Sequence, residues 1–180
     1  ATGINSFALL AIPFFILSGY IMGQGGIARR LIDFAKVIVG VFPGGLAYVN
    51  IVACMFFGAI SGSAAAATSA VGGFMIPSMN KEGYDKNFNT ALTVTASTTG
   101  LLIPPSNILI IFSLASGGVS IAALFIAGYV PGLIVGLGLI LVAAITSVIK
   151  KYPKGESSSL KYAAKKFFDA LPSLLLIYIV

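Results

Sequence analysis

Charged side chains are scarce in this sequence. They make up 9% of its 180 residues, whereas hydrophobic residues make up 58%. A soluble domain normally carries about a quarter charged residues, because these cover the surface that faces water. A surface that faces lipid needs no such cover. The composition therefore predicts a protein embedded in a membrane and argues against a soluble domain.

Residue types that serve catalysis and metal binding are also missing. The sequence has no histidine and a single cysteine, Cys54, which excludes a Ser–His dyad and an intrachain disulfide and leaves too few ligands for a transition-metal site. There is no phosphate-binding G-x-x-x-x-G-K-[ST] loop, so the chain does not itself hydrolyse ATP. No acidic residue lies within an apolar stretch, which argues against a proton relay of buried carboxylates. We therefore expect neither an enzyme nor a transition-metal protein.

The few charges are confined to three short segments. All 11 basic and 5 acidic residues lie within residues 29–36, 81–86 and 150–169. A helix needs about 20 apolar residues to cross the hydrocarbon core, so the uncharged stretches before and between these segments have room for one, one or two, and two crossings. Basic residues concentrate in the cytoplasmic loops of membrane proteins, so all three segments are predicted to be cytoplasmic. This explains the net charge of +6 without nucleic acid, which the flanking apolar spans disfavour.

The first 41 residues are predicted to form a transmembrane helix followed by a helix on the membrane surface. The apolar run 4–23 is long enough to span, with a kink at Pro13 that neighbouring helices can accommodate in lipid. Apolar and charged residues then recur at helical spacing over 27–41, which is typical of an amphipathic helix lying along the membrane. Residues 150–180 are predicted to form a cytoplasmic arm and the start of a further span, so the chain looks like a fragment of a longer protein.

The region between these ends, residues 42–149, begins with two apolar arms that are too short to cross the membrane. At 1.5 Å per residue, the arms 46–60 and 64–79 are only about 22–24 Å long, against a hydrocarbon core of roughly 30 Å. They are joined by Ser61-Gly62-Ser63. This pattern predicts a re-entrant helical hairpin over residues 46–79, although two full spans would place the charged segments on the same side.

A broken helix is predicted next, over residues 88–117. The sequence Pro104-Pro105 interrupts it, because each proline removes a backbone donor and clashes with the preceding turn. An apolar helix resumes after the prolines, so one crossing is made of two half-helices. Residues 121–149 are then predicted to form a further transmembrane helix.

Two interrupted helical elements at mid-membrane depth indicate a transport site. Non-helical backbone is tolerated there only where protein or a water-filled cavity receives its polar groups, and the ends of half-helices hold ions. Sodium is a hard cation that suits hydroxyl and carbonyl oxygens, and the candidates are Ser61, Gly62, Ser63, Thr98, Thr99, Gly100 and Pro104. Half-helix amino ends suit an anionic substrate, for which the candidates are Ser63, Ser106 and Asn107. Small residues also let membrane helices pack closely, and this is the expected role of residues 64–70. Half of the Thr/Ser run 93–99 is expected to bond within its own helix.

Five segments, in this order, resemble the large membrane subunit of tripartite ATP-independent periplasmic (TRAP) transporters. They are AIPFFILSG (11–19), GGIARRLIDFA (25–35), FGAISGSAAA (57–66), GYDKNF (83–88) and TGLLIPPS (99–106). The resemblance implies an all-α polytopic membrane protein of the elevator type, built from two inverted repeats of which this chain holds the first. Residues 42–149 would then form half of the transport domain, and residues 61–63 and 98–106 would help to bind sodium and substrate.

The same resemblance implies a function and partners. Members of this family take up organic acids, such as C4-dicarboxylates and sialic acid, driven by a sodium gradient across the bacterial inner membrane. They work with a small membrane subunit of the Q type and a periplasmic substrate-binding protein. With only the first repeat, this chain alone is not expected to transport. The alternative that the residues leave open is a membrane scaffold or assembly subunit, or a channel, without coupled transport of its own.

Overall fold

The computed structural model describes residues 7–155 and 160–179, and the regular elements within them are helical. They are α1 (Phe7–Gln24), α2 (Ile27–Val39), α3 (Gly45–Ser61), α4 (Ala64–Lys81), α5 (Lys86–Ser97), a 3₁₀ turn (Thr98–Leu101), α6 (Asn107–Ala115), α7 (Ile121–Lys150) and α8 (Leu160–Ile179). The prediction of an all-α fold is confirmed at this level. α8 runs without interruption through the predicted arm into the predicted start of a further span. Residues 4–6 of the first predicted span and Glu156 of the third charged segment lie outside the described residues.

The turn between α3 and α4 follows from two residues. Gly62 takes a φ of +62° and ends α3, and its N–H donates to the Gly58 carbonyl at 2.8 Å. Ser63 is extended, and its Oγ caps α4 by accepting from the Ala66 N–H at 3.3 Å. Glycine adopts positive φ without a steric penalty, and serine is a favoured N-cap residue. With 17 and 18 residues the two arms are about 26–27 Å long, still shorter than the roughly 30 Å hydrocarbon core.

The core lies where α2, α3, α4 and α5 meet. α3 is buried over most of its length, and Ile51 and Phe57 are fully enclosed together with Val71 and Met75 of α4. α2 contributes Leu31 to this core, while the arginines on its opposite face are exposed. The hairpin is thus the most enclosed element of the described structure, and it is held between α2 on one side and α5 on the other.

α7 carries large apolar side chains on its outer surface and small residues on its inner surface. Leu133, Leu137 and Leu141 are exposed, whereas Gly128 lies so close to the broken helix that a Cβ there would overlap the Leu102 carbonyl oxygen. This distribution suits a helix that faces lipid and packs inward through small residues. Within residues 7–155 and 160–179, α7 is the one helix that is both long and apolar enough to cross a membrane, and α3 is apolar but shorter.

The three charged segments meet at one end of the helices. Lys166 of α8 forms an ion pair with Asp33 of α2 at 2.8 Å, and Lys150 at the end of α7 lies 3.6 Å from Asp85. Asp85 also caps α5 by accepting from the Phe88 N–H at 2.9 Å. This hydrogen bond, assisted by the lysine, holds the pKa of the Asp85 carboxyl below its usual value. Because the segments are in contact, a position on the same side of a membrane suits all three.

Candidate functional site

The hairpin tip, residues 61–63, lies directly on the break between α5 and α6, residues 98–106. The Gly62 carbonyl accepts a hydrogen bond at 3.3 Å from the N–H of Asn107, at the start of α6. A Cβ added to Gly62 would lie 2.5 Å from the Pro105 carbonyl oxygen, so the backbones of the tip and the break are in contact. Two elements that the sequence indicated separately are therefore brought together in one place.

One turn before the tip, α3 touches the break through two glycines. A Cβ on Gly58 would lie 2.5 Å from the Gly100 Cα, and a Cβ on Gly100 would lie 2.7 Å from the Gly58 Cα. No side chain fits between two backbones that approach so closely. Gly58 is thus part of the framework of the site. This role was not predicted from the sequence, because a glycine in an apolar helix carries no local signal of its packing partner.

Both serine hydroxyls of the tip are buried and weakly hydrogen-bonded. The Ser61 Oγ lies 3.4 Å from the N–H and from the carbonyl oxygen of Ser63, and the Ser63 Oγ accepts from the Ala66 N–H at 3.3 Å. Hydrogen bonds of this length are weak, and each hydroxyl oxygen has two lone pairs. Ser61 and Ser63 therefore keep the capacity to ligate a cation.

The two threonines of the break lie on different sides. Thr99 is buried and Thr98 is exposed, although the Oγ1 of each donates to the carbonyl three residues earlier, at 2.6 Å and 2.7 Å. Gly100 and Pro104 are buried as well. Of the predicted sodium ligands in the break, Thr99, Gly100 and Pro104 thus share the interior with the hairpin tip, whereas Thr98 does not.

The amino end of α6 presents a polar atom without a partner. Ser106 is fully buried, and its Oγ donates to the Leu101 carbonyl at 2.5 Å and accepts from the Leu109 N–H at 3.4 Å. Asn107 is only 9% exposed, and its Oδ1 has no hydrogen-bond partner among the described residues. Leaving a buried acceptor unsatisfied costs about 1–3 kcal/mol, so a bound ligand would gain from contact with it. As an acceptor, Oδ1 suits a cation or a substrate hydroxyl rather than a carboxylate.

A groove of about 440 Å³ between α1 and α4 opens at the hairpin tip. It runs along α4 from Ser63 to Phe74, and its described lining carries no charged side chain. α1 and α4 approach closely beside it, since a Cβ on Gly23 would meet the Ala70 Cβ at 3.2 Å. A Cβ on Gly73, in contrast, would meet nothing within 4 Å. The groove is thus an uncharged space next to the predicted binding residues, and Gly73 helps to leave it open.

The whole chain matches known proteins. The model of the family described as "Tripartite ATP-independent periplasmic transporter, DctM component" matches residues 1–180. The chain is 54% identical over 178 residues to the uncharacterized protein YgiK of Salmonella typhimurium. It is 46% identical over 180 residues to the C4-dicarboxylate TRAP transporter large permease protein DctM of Vibrio cholerae. It is also 47% identical over 138 residues to the isethionate TRAP transporter permease protein DctMQ of Oleidesulfovibrio alaskensis.

These alignments cover most of this chain but less than half of each relative. They include 99%, 98% and 77% of the chain, and 41%, 40% and 22% of the relatives, in the same order. The chain thus spans about two fifths of the length of the first two relatives. The likeness accordingly covers the helices and the site described above, and a larger part of each relative has no counterpart in this chain.

Proposed function

This chain belongs to the DctM component family of tripartite ATP-independent periplasmic transporters, as its motifs predicted, and we propose that it is part of a large permease subunit that takes up a small organic anion together with sodium. The observation that carries the proposal is the contact of the hairpin tip with the broken helix, where Gly62 meets Pro105 and Asn107. Interrupted helices that meet inside a membrane domain are where secondary transporters bind ions and substrates. The relatives named as permeases agree with a transporter rather than an enzyme.

A sodium ion would be held by oxygens from both interrupted elements. The tip offers the hydroxyls of Ser61 and Ser63, and the break offers the Thr99 hydroxyl, the Gly100 carbonyl and the unpaired Asn107 Oδ1. Unwound backbone carbonyls and helix ends are the usual ligands of sodium in such transporters. These groups are all neutral and none of them is ionisable near neutral pH, so ion binding at the site requires no proton transfer.

The organic anion would bind on the α6 side of the same site. The amino end of a helix carries a partial positive charge, and Ser106 caps α6 there. A neighbouring sodium ion would neutralise further negative charge. Two relatives are named for C4-dicarboxylate and isethionate, so we propose a small carboxylate or sulfonate, with a sialic-acid-type carboxylate as the larger candidate. The groove that starts at Ser63 would receive the uncharged part of the molecule.

The proposed partners and orientation follow from family membership. We expect the full-length protein to work with a small Q-type membrane subunit and a periplasmic substrate-binding protein in the bacterial inner membrane. The ion pairs Lys166–Asp33 and Lys150–Asp85 join the basic segments at one end, which supports a cytoplasmic position for that end. In the proposed elevator mechanism, sodium orders the tip against the break and completes the anion site, and the loaded domain then moves across the membrane.

Uptake into proteoliposomes tests this function. They would contain the full-length protein, its small membrane subunit and its periplasmic binding protein, and they would receive labelled succinate or isethionate with and without an inward sodium gradient. The expected result is saturable accumulation above the external concentration, only with sodium. Flux that stops at equal concentrations without any need for sodium would indicate a channel. Absence of flux from a folded complex, across several organic acids, would favour a scaffold subunit.

Filling the groove should slow uptake without unfolding the protein. The substitution Gly73→Leu places a side chain where a Cβ meets nothing within 4 Å. We expect the uptake rate to fall about tenfold, because the added side chain would take space that the proposed substrate needs. Crowding by one side chain costs about 1–3 kcal/mol. Gly138→Leu on α7 is the matched control, since a Cβ there also meets nothing within 4 Å but lies outside the groove. Equal uptake rates for both variants would contradict the proposed role of the groove.

A further inference from the structure

Below the hairpin tip, two rows of polar side chains face each other between α3 and α5. Asn50 and Cys54 lie four residues apart on α3, and Asn89, Thr93 and Ser97 follow the same spacing on α5. We call these five residues the polar ladder. All five side chains are fully buried. A spacing of four residues places each row on one face of its helix, so the polar ladder follows the line of contact between the two helices.

Hydrogen bonds connect the two rows. Asn50 Nδ2 donates to Thr93 Oγ1 at 2.6 Å, and Thr93 Oγ1 donates onward to the Asn89 carbonyl at 2.7 Å. Nearer to the tip, Ser97 Oγ donates to the Thr93 carbonyl at 2.8 Å and lies 3.5 Å from Cys54 Sγ. The shortest link between α3 and α5 in the polar ladder therefore passes through one hydroxyl group, that of Thr93.

The polar ladder also reaches the second arm of the hairpin. Asn89 Nδ2 donates to Asn80 Oδ1, near the end of α4, at 2.8 Å, and Asn50 Nδ2 lies 3.8 Å from Met79 Sδ. α5 is thus bonded through side chains to both arms. Asn89 Oδ1 has no partner among the described residues. A buried polar group that is left unpaired is uncommon in native proteins, so tight packing alone does not explain the choice of asparagine at this position.

We propose that the polar ladder fixes the register of α3 on α5 and thereby assembles the ion site at the hairpin tip. About one turn beyond Cys54 and Ser97, the last residues of the two rows, lie Gly58 and Gly100, whose backbones touch. Directional hydrogen bonds between buried polar groups can specify register, whereas apolar side chains permit sliding. Asn50 and Thr93 are therefore positioning residues, which hold Ser61 and Gly100 at the separation that the ion requires. This inference rests on the proposed sodium-coupled uptake.

Two matched substitutions on α5 test the inference. Thr93→Val removes the hydroxyl that accepts from Asn50 and keeps the shape of the side chain. Thr95→Val removes an exposed hydroxyl that donates to the carbonyl four residues earlier at 2.8 Å, much as Thr93 does at 2.7 Å. The readout is the sodium concentration for half-maximal uptake by the full-length protein with its partners in proteoliposomes. We expect Thr93→Val to raise it about fivefold, the effect of one lost buried hydrogen bond, and Thr95→Val to leave it unchanged.

A conservative variant separates positioning from folding. Thr93→Ser keeps the hydroxyl and should restore the wild-type sodium dependence, even where its maximal rate is lower. Thr93→Val could instead lower only the maximal rate or the yield of folded protein, with the same sodium concentration for half-maximal uptake as Thr95→Val. In that case the polar ladder serves packing alone and the inference is overturned. Should Thr93→Val not fold, Thr93→Cys replaces it: a smaller shift in the same direction is expected, and no shift would likewise overturn the inference. A wild-type protein without sodium-dependent uptake would overturn the proposed function itself.

Discussion

The double variant Ser61→Ala/Ser63→Ala is expected to raise the sodium concentration for half-maximal uptake about a hundredfold, if each hydroxyl oxygen contributes about 1.5 kcal/mol as a hydrogen bond to a charged group does. Both hydroxyls are buried at the point where the tip meets the break, and both make only long hydrogen bonds. Their removal takes two neutral oxygens from the proposed cation site. The measurement is the initial uptake rate of the full-length complex over a range of sodium concentrations at a fixed membrane potential.

The Ser63 hydroxyl has a second role that the controls must separate. It caps α4 through the Ala66 N–H, and loss of an N-cap costs about 1 kcal/mol of helix stability. Ser61→Ala alone leaves this cap in place, and Ser63→Asn preserves it with a different side chain. Ser78→Ala, on the same helix, removes a hydroxyl that bonds to the Phe74 carbonyl and should change nothing. If the double variant keeps the sodium dependence of the wild type, the hairpin tip is not part of the cation site.

The hairpin tip could be predicted from the sequence because its geometry is local. Ser61-Gly62-Ser63 interrupts an apolar run, and the structure uses the glycine for a φ of +62° and Ser63 as the cap of the next helix. Pro104-Pro105 indicates the break in the same way, since proline disrupts a helix without help from any distant residue. The helical fold and the family could be predicted as well, because composition and short motifs are properties of the sequence itself and need no contact between distant residues.

Side-chain directions in the break could not be predicted. α5 ends at Ser97, and the chain continues as a 3₁₀ turn over Thr98–Leu101, which has about three residues per turn instead of about 3.6. Residues three positions apart share a face in both kinds of helix, so Thr98 follows the exposed Thr95 and Thr99 follows the buried Ala96. The sequence does not show which of these two faces is buried, and it therefore offered both hydroxyls equally as sodium ligands.

Contacts between distant segments could not be predicted from the sequence either. Among 21 glycines, nothing local distinguishes Gly58 and Gly100, which touch, from Gly138, where a Cβ would meet nothing within 4 Å. The polar ladder is not visible for the same reason, since Asn50 and Thr93 are 43 positions apart. Sequence spacing shows which residues share a helix face, but the structure is needed to show which two faces meet.

A single methyl group at the contact between α3 and the break should disable the site. In Gly58→Ala the new Cβ would lie 2.5 Å from the Gly100 Cα and 3.0 Å from its nitrogen. These are backbone atoms, so no change of rotamer relieves the overlap and α3 must move away from the break. Overpacking of this kind costs about 1–3 kcal/mol, and a displacement of about 1 Å can lower a rate about a hundredfold. We expect uptake to fall by about that factor, with a lower thermal unfolding midpoint.

The reciprocal substitution and a double variant show whether this contact is the cause. Gly100→Ala should be as harmful as Gly58→Ala, because its Cβ would lie 2.7 Å from the Gly58 Cα. Once one methyl group has separated the two backbones, the second meets less resistance, so the double variant should lose less than the sum of the single losses in unfolding free energy. Gly138→Ala is the control, with open space around its Cβ and wild-type uptake expected. Strictly additive losses would mean that the two glycines act through separate contacts, and α3 would then not hold the hairpin tip in place through Gly100.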